Sequence, residues 1–252
     1  MQYHNNTMLI TGGGSGIGRG LAEAFHRLGN KVIITGRRKD VLDQTCEANP
    51  GMRYFVMDVA DPASVARTAV DVAAELPALN CLINNAGVQI PQDFSGDRPL
   101  DEAALAQELQ INVAGLIRTC AAFLPQLKKQ RNGIIINVTS GLAFVPMARF
   151  PTYCATKAAV HSFTLSLRHQ LKPSGVRVVE LIPPWVATEL GGSDKPTTLG
   201  DRKPMPLDPF ITQAMQGLGT DQDEVAVADA QYLMNATNPA GVAKVFAAIN
   251  RE

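Results

Sequence analysis

Short apolar runs, rich in β-branched residues, alternate with longer amphipathic segments over the first 180 or so positions. Met8-Leu9-Ile10 runs into a glycine-rich turn, and Ile17 to Leu28 then reads as a helix stopped by Gly29. Lys31 to Thr35 predicts a second strand closed by Gly36, and Lys39 to Ala48 a helix ended by Pro50-Gly51. Tyr54 to Met57 predicts a third strand. Ala63 to Glu75 predicts a helix, with Asp61 as N-cap and Pro62 in its first turn. Cys81-Leu82-Ile83 predicts a fourth strand, about Asp101 to Leu127 a long helix bent near Gly115, and Gly133 to Val138 a fully apolar buried strand. A helix from about Thr152 to Leu171 and a strand from Val176 to Leu181 complete the series.

That alternation predicts one α/β domain over residues 1–252: a doubly wound Rossmann-type parallel sheet with helices on both faces. The pattern changes after Ile182. Gly191 to Pro209 is rich in Gly, Pro, Thr and Asp and predicts a long loop. Helical stretches follow at about Pro209 to Gly217, Asp221 to Asn235 and Pro239 to Asn250. Long loops in compact domains usually serve a site, so the region of about 190–235 is expected to form a substrate lid.

Charge changes this picture only by exclusion. Lys and Arg total 23 and Asp and Glu total 23, which leaves no basic footprint for nucleic acid or an anionic membrane surface. Cys46, Cys81, Cys120 and Cys154 show no metal-ligand spacing and predict reduced thiols. The polar N-terminus does not read as a signal peptide, and no apolar stretch approaches the ~20 residues that span a bilayer. A soluble, cytoplasmic protein is expected. His4, His26, His161 and His169 have no carboxylates at ligand spacing and read as ordinary surface or core residues, so no metal site is expected.

Candidate chemistry begins at Thr11 through Gly18, where Gly12, Gly14, Ser15, Gly16, Ile17 and Gly18 join a strand to a helix. Glycines there admit a pyrophosphate to the backbone, and the helix N-terminus stabilises its charge. The second strand ends Thr35-Gly36-Arg37-Arg38, where an NAD-binding chain would usually carry an acidic residue. A small residue followed by arginines suits a 2′-phosphate, so NADP(H) is the expected cofactor, NAD(H) the alternative, and Arg37 the main contact. Tyr153 and Lys157 lie four apart on one helix and share a face. A nearby ammonium favours phenolate, so Lys157 is expected to lower the Tyr153 pKa. Ser140 follows the buried strand, at the sheet end where doubly wound folds bind ligands.

With these motifs the chain resembles the short-chain dehydrogenase/reductases over nearly all of residues 7–190. The matches are Thr11-Gly12 to Gly18, Asp58-Val59, Asn84-Asn85-Ala86-Gly87, Asn112, Ser140 and Tyr153 with Lys157. Thr164 to Lys172 and Val179 to Pro184 resemble the DltE-like oxidoreductase subgroup. The resemblance implies hydride transfer between a nicotinamide and a carbonyl or secondary alcohol. It implies Tyr153 as general acid or base, and Ser140 as hydrogen-bond partner of the substrate oxygen. Lys157 would hold the nicotinamide ribose, Asn112 would anchor a water leading to Lys157, Asp58 would meet the adenine, and Asn85 would steady the strand ends. Val59, Ala86, Gly87, Pro183, Val186 and Thr188 would complete the cofactor site, with Thr188 at the carboxamide.

The chain departs from the family in two places. Pro183-Pro184 stands where Pro-Gly is usual, followed by Trp185, which suits either the substrate pocket or the core. The C-terminal end reads as a helix in place of the usual seventh strand. A homo-oligomer is therefore expected as a dimer through the helices at about 101–127 and 152–171, rather than a tetramer. A non-enzymatic dinucleotide-sensing or scaffold protein on this fold is the alternative, though such proteins often lose the tyrosine or lysine kept here. Family members that epimerise or dehydrate tend to carry a larger substrate region. A moderately apolar small-molecule substrate is expected from Leu190, Leu199, Met205, Leu207, Phe210, Met215 and Leu218.

Overall fold

A computed structural model describes residues 4–96, 99–192, 198, 202–236 and 238–249. Asp194, Lys195, Leu199 and Asp201 of the expected lid, and the chain from residue 250 onward, lie outside the described residues. Seven strands form one parallel sheet: β1 (Thr7–Thr11), β2 (Lys31–Gly36), β3 (Arg53–Val56), β4 (Leu79–Asn84), β5 (Ile134–Val138), β6 (Arg177–Ile182) and β7 (Glu224–Ala226). Their order is β3-β2-β1-β4-β5-β6-β7. The order reverses between β1 and β4, which opens a cleft beyond their carboxyl ends.

Alternation along each strand sends side chains to opposite faces. Met8 and Ile10 meet Leu21 and Phe25 of α1 (Gly16–Arg27) and Phe210 and Ala214 of α7 (Leu207–Leu218). Leu9, Leu82 and Ile135 meet Phe123 and Leu127 of α5 (Leu116–Leu127), and Val160 and Leu167 of α6 (Pro151–Leu171). Two apolar layers therefore clamp the sheet, each contributing at roughly 25 cal/mol per Å² of apolar surface removed from water. α2 (Lys39–Ala48) and α3 (Pro62–Glu75) complete the β2–β4 crossovers; the Asp61 carboxylate caps α3 by accepting the Ala63 N–H at 2.9 Å.

The structure corrects two element expectations. The long helix is not simply bent at Gly115: α4 (Glu102–Glu108) passes through a π-helical turn, Leu109–Gly115, into α5. A Cβ on Gly115 would lie 2.9 Å from Val59, so the missing side chain lets this turn press against the segment after β3. The sheet also has a seventh strand, inside the stretch read as helix at 221–235. Three residues are too few to show a period. The strand is set by tertiary partners: Glu180 N–H donates to the Asp223 carbonyl at 2.8 Å, and Arg168 Nη1 meets Glu224 at 3.1 Å. Among the described residues the last elements are helices, with α8 (Asp229–Met234) and α9 (Pro239–Ile249) following β7. Among the described residues no helix is long and apolar enough to cross a membrane.

Candidate active site

A cleft of about 1310 Å³ lies beyond the carboxyl ends of β1, β4 and β5. Its floor at one end is the turn between β1 and α1. Gly12 has φ +65°, and a Cβ there would lie 3.0 Å from the Ala86 Cα. Ser15 precedes α1 in extended backbone, and its side chain makes no cap bond, so the first amides of α1 are left for another acceptor. Gly18, expected to line this site, does not. A Cβ on it would fall 2.3 Å from the Gly12 carbonyl and 2.4 Å from Asn85 Nδ2, so it serves close approach of helix to turn. Asn85 ties the ends of β1 and β4 together: Nδ2 donates to the Thr11 and Gly12 carbonyls at 3.0 and 3.3 Å. Thr11 Oγ1 accepts the N–H groups of Asn85 and Ala86, each at 3.0 Å.

The walls near this turn carry the other expected cofactor residues: Gly14, Gly16 and Ile17, Asp58 and Val59, Ala86 and Gly87, then Pro183, Val186 and Thr188. Arg37 and Arg38 are exposed at the rim, just past β2, with no ion pair among the described residues. Asp58 spends one carboxylate oxygen on the Ala60 N–H at 2.9 Å. A glycine turn, an uncapped helix start and a carboxylate within one long cleft fit a dinucleotide, with arginines where a 2′-phosphate would meet cations.

At the other end Ser140 follows β5, and Tyr153 and Lys157 project from one face of α6. Ser140 is 8 % exposed, Tyr153 5 % and Lys157 5 %. Lys157 Nζ donates to the Val138 carbonyl at 2.9 Å and lies 5.6 Å from the centre of the Tyr153 ring. Burial pushes the Tyr153 phenol up from its ordinary value, against a hydrogen bond with Ser140. Burial pushes Lys157 down to about 8, opposed by the charge of Glu180. The phenol thus stands above its ordinary value in this structure, where the sequence leads to an expected lowering by Lys157, and burial is the main cause.

Asn112, 1 % exposed, does not line the cleft. Within the π-helical turn, its side chain grips Val88 in both directions: Oδ1 accepts the Val88 N–H at 2.8 Å, and Nδ2 donates to the Val88 carbonyl at 2.8 Å. It braces the loop after β4 against α6, where Thr156 Oγ1 accepts from Nδ2 at 3.1 Å. Cys154 takes the packing role, its thiol pushed up to about 11 by burial.

The remaining wall joins apolar Ile90, Leu142, Met147, Phe150, Trp185, Met205, Tyr232 and Leu233 to polar and charged Gln89, Gln107, Glu189, Arg202, Lys203 and Asp229. The expected lid divides accordingly. Met205 and residues of α8 reach the cleft, whereas Phe210, Ile211, Ala214 and Leu218 of α7 are buried in the core beside α1. Met205 is fixed to the segment after β6, donating to the Trp185 carbonyl at 2.8 Å and accepting from the Ala187 N–H at 2.9 Å.

Two buried carboxylates near the site escaped sequence reasoning. Glu108 is fully buried; Oε1 accepts the Ile90 N–H at 2.9 Å, while Oε2 has no partner among the described residues. Burial pushes its carboxyl up. Glu180 is fully buried on β6 and meets His161 Nδ1 at 2.8 Å, a partner that the local spacing around His161 does not show. A charged residue inside an otherwise apolar strand, Val178 to Ile182, was the available signal. Among the described residues no group of three or more His, Cys, Asp or Glu side chains could hold a metal ion.

The family model described as short chain dehydrogenase matches residues 6–198. The chain is 38% identical over 238 residues to the uncharacterized oxidoreductase DltE of Bacillus subtilis (strain 168), covering 94% of each. A short chain dehydrogenase from Burkholderia cenocepacia J2315, solved in complex with NADP, superposes with a TM-score of 0.83 at 28% identity, covering 98% of this chain and 99% of that one. A 3-ketoacyl-(acyl-carrier-protein) reductase from Brucella melitensis, solved with NADH, gives a TM-score of 0.79 at 25% identity, covering 90% and 98%.

Proposed function

The chain belongs to the short-chain dehydrogenase family as a DltE-like, NAD(P)-dependent oxidoreductase, and on that premise we propose that it is an NADP(H)-preferring carbonyl reductase with Tyr153 as proton donor. One observation carries this reading: Ser140, Tyr153 and Lys157 are buried side by side at one end of a cleft whose other end is the glycine turn. A bound nicotinamide supplies or accepts the hydride.

The chain's own residues do the rest. Ser140 Oγ hydrogen-bonds the substrate oxygen and holds it toward Tyr153. The buried phenol stays protonated and gives its proton to that oxygen as charge develops there, acting as general acid. In the reverse direction it takes the proton back. Lys157, at about 8, stands close enough to working pH to exchange a proton, and its ammonium suits ribose hydroxyls. Asn112 keeps the Val88 loop in place beneath this group. Arg37, with Arg38 beside it, meets the 2′-phosphate, Asp58 the adenine and Thr188 the carboxamide. Support for the choice of NADP(H) is the arginine pair and the absence of an acidic residue directly after Gly36. Ile90, Phe150, Trp185 and Leu233 would shield the reacting carbon and favour an apolar substrate.

The test is a panel of aliphatic and aromatic carbonyls and alcohols with NADPH/NADP and NADH/NAD, run beside Tyr153→Phe. Removing a general acid is expected to cost about 10²–10⁴-fold in kcat. Equal turnover by the variant would reject the mechanism.

The described chain also leaves Leu109, Ile117 and Leu165 exposed along the π-helical turn, α5 and α6. That supports the proposed dimer through these helices. The dimer reading rests on the helices alone now that β7 is present. Sedimentation is expected to give a dimer, and a stable monomer or a compact tetramer would reject it.

A further inference from the structure

Along one face of α6, Tyr153, Lys157 and His161 recur every four residues. The last two serve the strand end that carries Ser140. Lys157 Nζ donates to the Val138 carbonyl at 2.9 Å. The next residue, Thr139, donates its hydroxyl to Glu180 Oε1 at 2.6 Å and its N–H to the Leu181 carbonyl at 2.9 Å. Glu180 Oε2 meets His161 Nδ1 at 2.8 Å, and Oε1 meets it at 3.1 Å. Beyond Ser140, the Gly141 N–H donates to the Pro183 carbonyl at 2.9 Å. Ser140 is thus bracketed by fixed neighbours.

A fully buried carboxylate is costly unless it is paired and hydrogen-bonded, and an apolar residue of similar size often serves stability as well or better. Val178 and Ile182, which share its face of β6, show what the strand needs for packing alone. Glu180 is therefore expensive for the fold and sits where charge has a use. Lys157 is buried with a carbonyl as its acceptor and no carboxylate within ion-pair distance among the described residues. Glu180 is the anion that acts on it through the protein interior.

We infer that Glu180 and His161 are positioning residues for the proposed reaction, Glu180 holding Ser140 in place through Thr139 and sustaining the buried Lys157 ammonium, His161 anchoring Glu180. The inference rests on the reading of Ser140, Tyr153 and Lys157 as the reacting group. The groups facing His161 are Glu180 from β6, Glu224 from β7, Arg168 from α6 itself, and the Phe144 ring, 4.6 Å away in the turn after Ser140. The hydrogen bond to Glu180 raises the imidazole; burial and Arg168 oppose it.

Glu180→Gln keeps the shape and an acceptor for Thr139 but removes the charge. Three readouts in the full chain test it. By NMR, the His161 imidazole is expected to titrate above the ordinary value of about 6.5 in the native protein and to fall toward it in the variant. The Lys157 ammonium is expected to lose its proton at a lower pH in the variant than in the native protein. With the best carbonyl of the panel, kcat is expected to fall about tenfold or more while KM and NADPH affinity hold within about twofold, the signature of displaced reacting groups rather than lost binding. Thr139→Val should reproduce the kcat loss without the Lys157 shift, and His161→Gln should lower kcat to a lesser degree. An unchanged Lys157 titration with kcat within about twofold of native would overturn the inference. So would a kcat loss that merely follows a lowered Tm and is recovered on cooling. If Glu180→Gln does not fold, Thr139→Val and His161→Gln decide, and native kcat in both overturns it. If the native protein turns over no carbonyl yet both titrations shift as expected, the carbonyl-reductase reading falls and the electrostatic pairing stands.

Discussion

At the scale of single residues, the rim arginines and the buried tyrosine pose different problems. Arg37 is exposed, so its attraction for a bound phosphate is screened by salt and depends on direct contact. Arg37→Asp replaces that contact with repulsion. We expect NADPH affinity to fall about tenfold or more, consistent with about 1.5–3 kcal/mol for a charged hydrogen bond, with NADH affinity little changed. Titration of both cofactors by quenching of Trp185 fluorescence measures it, and equal losses for both would remove Arg37 from the 2′-phosphate. The site residues legible in the sequence share one property: their partners are close in the chain or their motif is local. Tyr153 and Lys157 are four apart on one helix, and the glycine turn is contiguous. Glu180 and His161 are 19 apart and meet only once β6 lies beside β5 and α6 covers them, so no local pattern announces the pair. The sign of the Tyr153 shift was illegible for a related reason, since burial outweighs the Ser140 hydrogen bond and burial belongs to the assembled cleft.

At the scale of elements, the periodic segments were legible because each buries one face against a large partner. The π-helical turn and β7 were not, because neither owes its form to its own sequence period. Gly115 admits the first by close approach to Val59, and Arg168 with the neighbouring edge of β6 pins the second. The turn between β1 and α1 offers a direct test of such close approach. Gly18→Ala would place a methyl 2.3 Å from the Gly12 carbonyl, against backbone that cannot rotate away as a flexible side chain could. We expect the variant to lose about 1–3 kcal/mol of stability by overpacking. Weaker NADPH binding should accompany it, because α1 must back away from the turn that faces the pyrophosphate. Chemical denaturation and cofactor titration together check this, and a variant with native stability would show that the turn yields freely.

At the scale of the whole molecule, the buried titratable groups tie stability to pH in opposite directions. The His161 imidazole is raised in the folded state, so its contribution is present below about 6.5 and lost as pH rises through the folded value. Lys157 falls from 10.5 to about 8 on folding, so the unfolded chain binds more protons between those values and stability rises with pH across that window. Cys81 and Cys120, each pushed up to about 12 by burial, and the raised Tyr153 act the other way above their ordinary values. These effects overlap in one melting curve, so the Lys157 contribution has to be read as a difference. Lys157→Met keeps the aliphatic stem and removes the buried charge. We expect the variant to melt above the native protein at neutral pH, and the gap to narrow steadily as pH is raised from about 8 to 10.5. Calorimetric Tm values at half-unit intervals measure that gap. A gap that stays constant over the window would mean that Lys157 remains fully protonated there, with its charge compensated more completely than the Val138 carbonyl and the buried Glu180 imply.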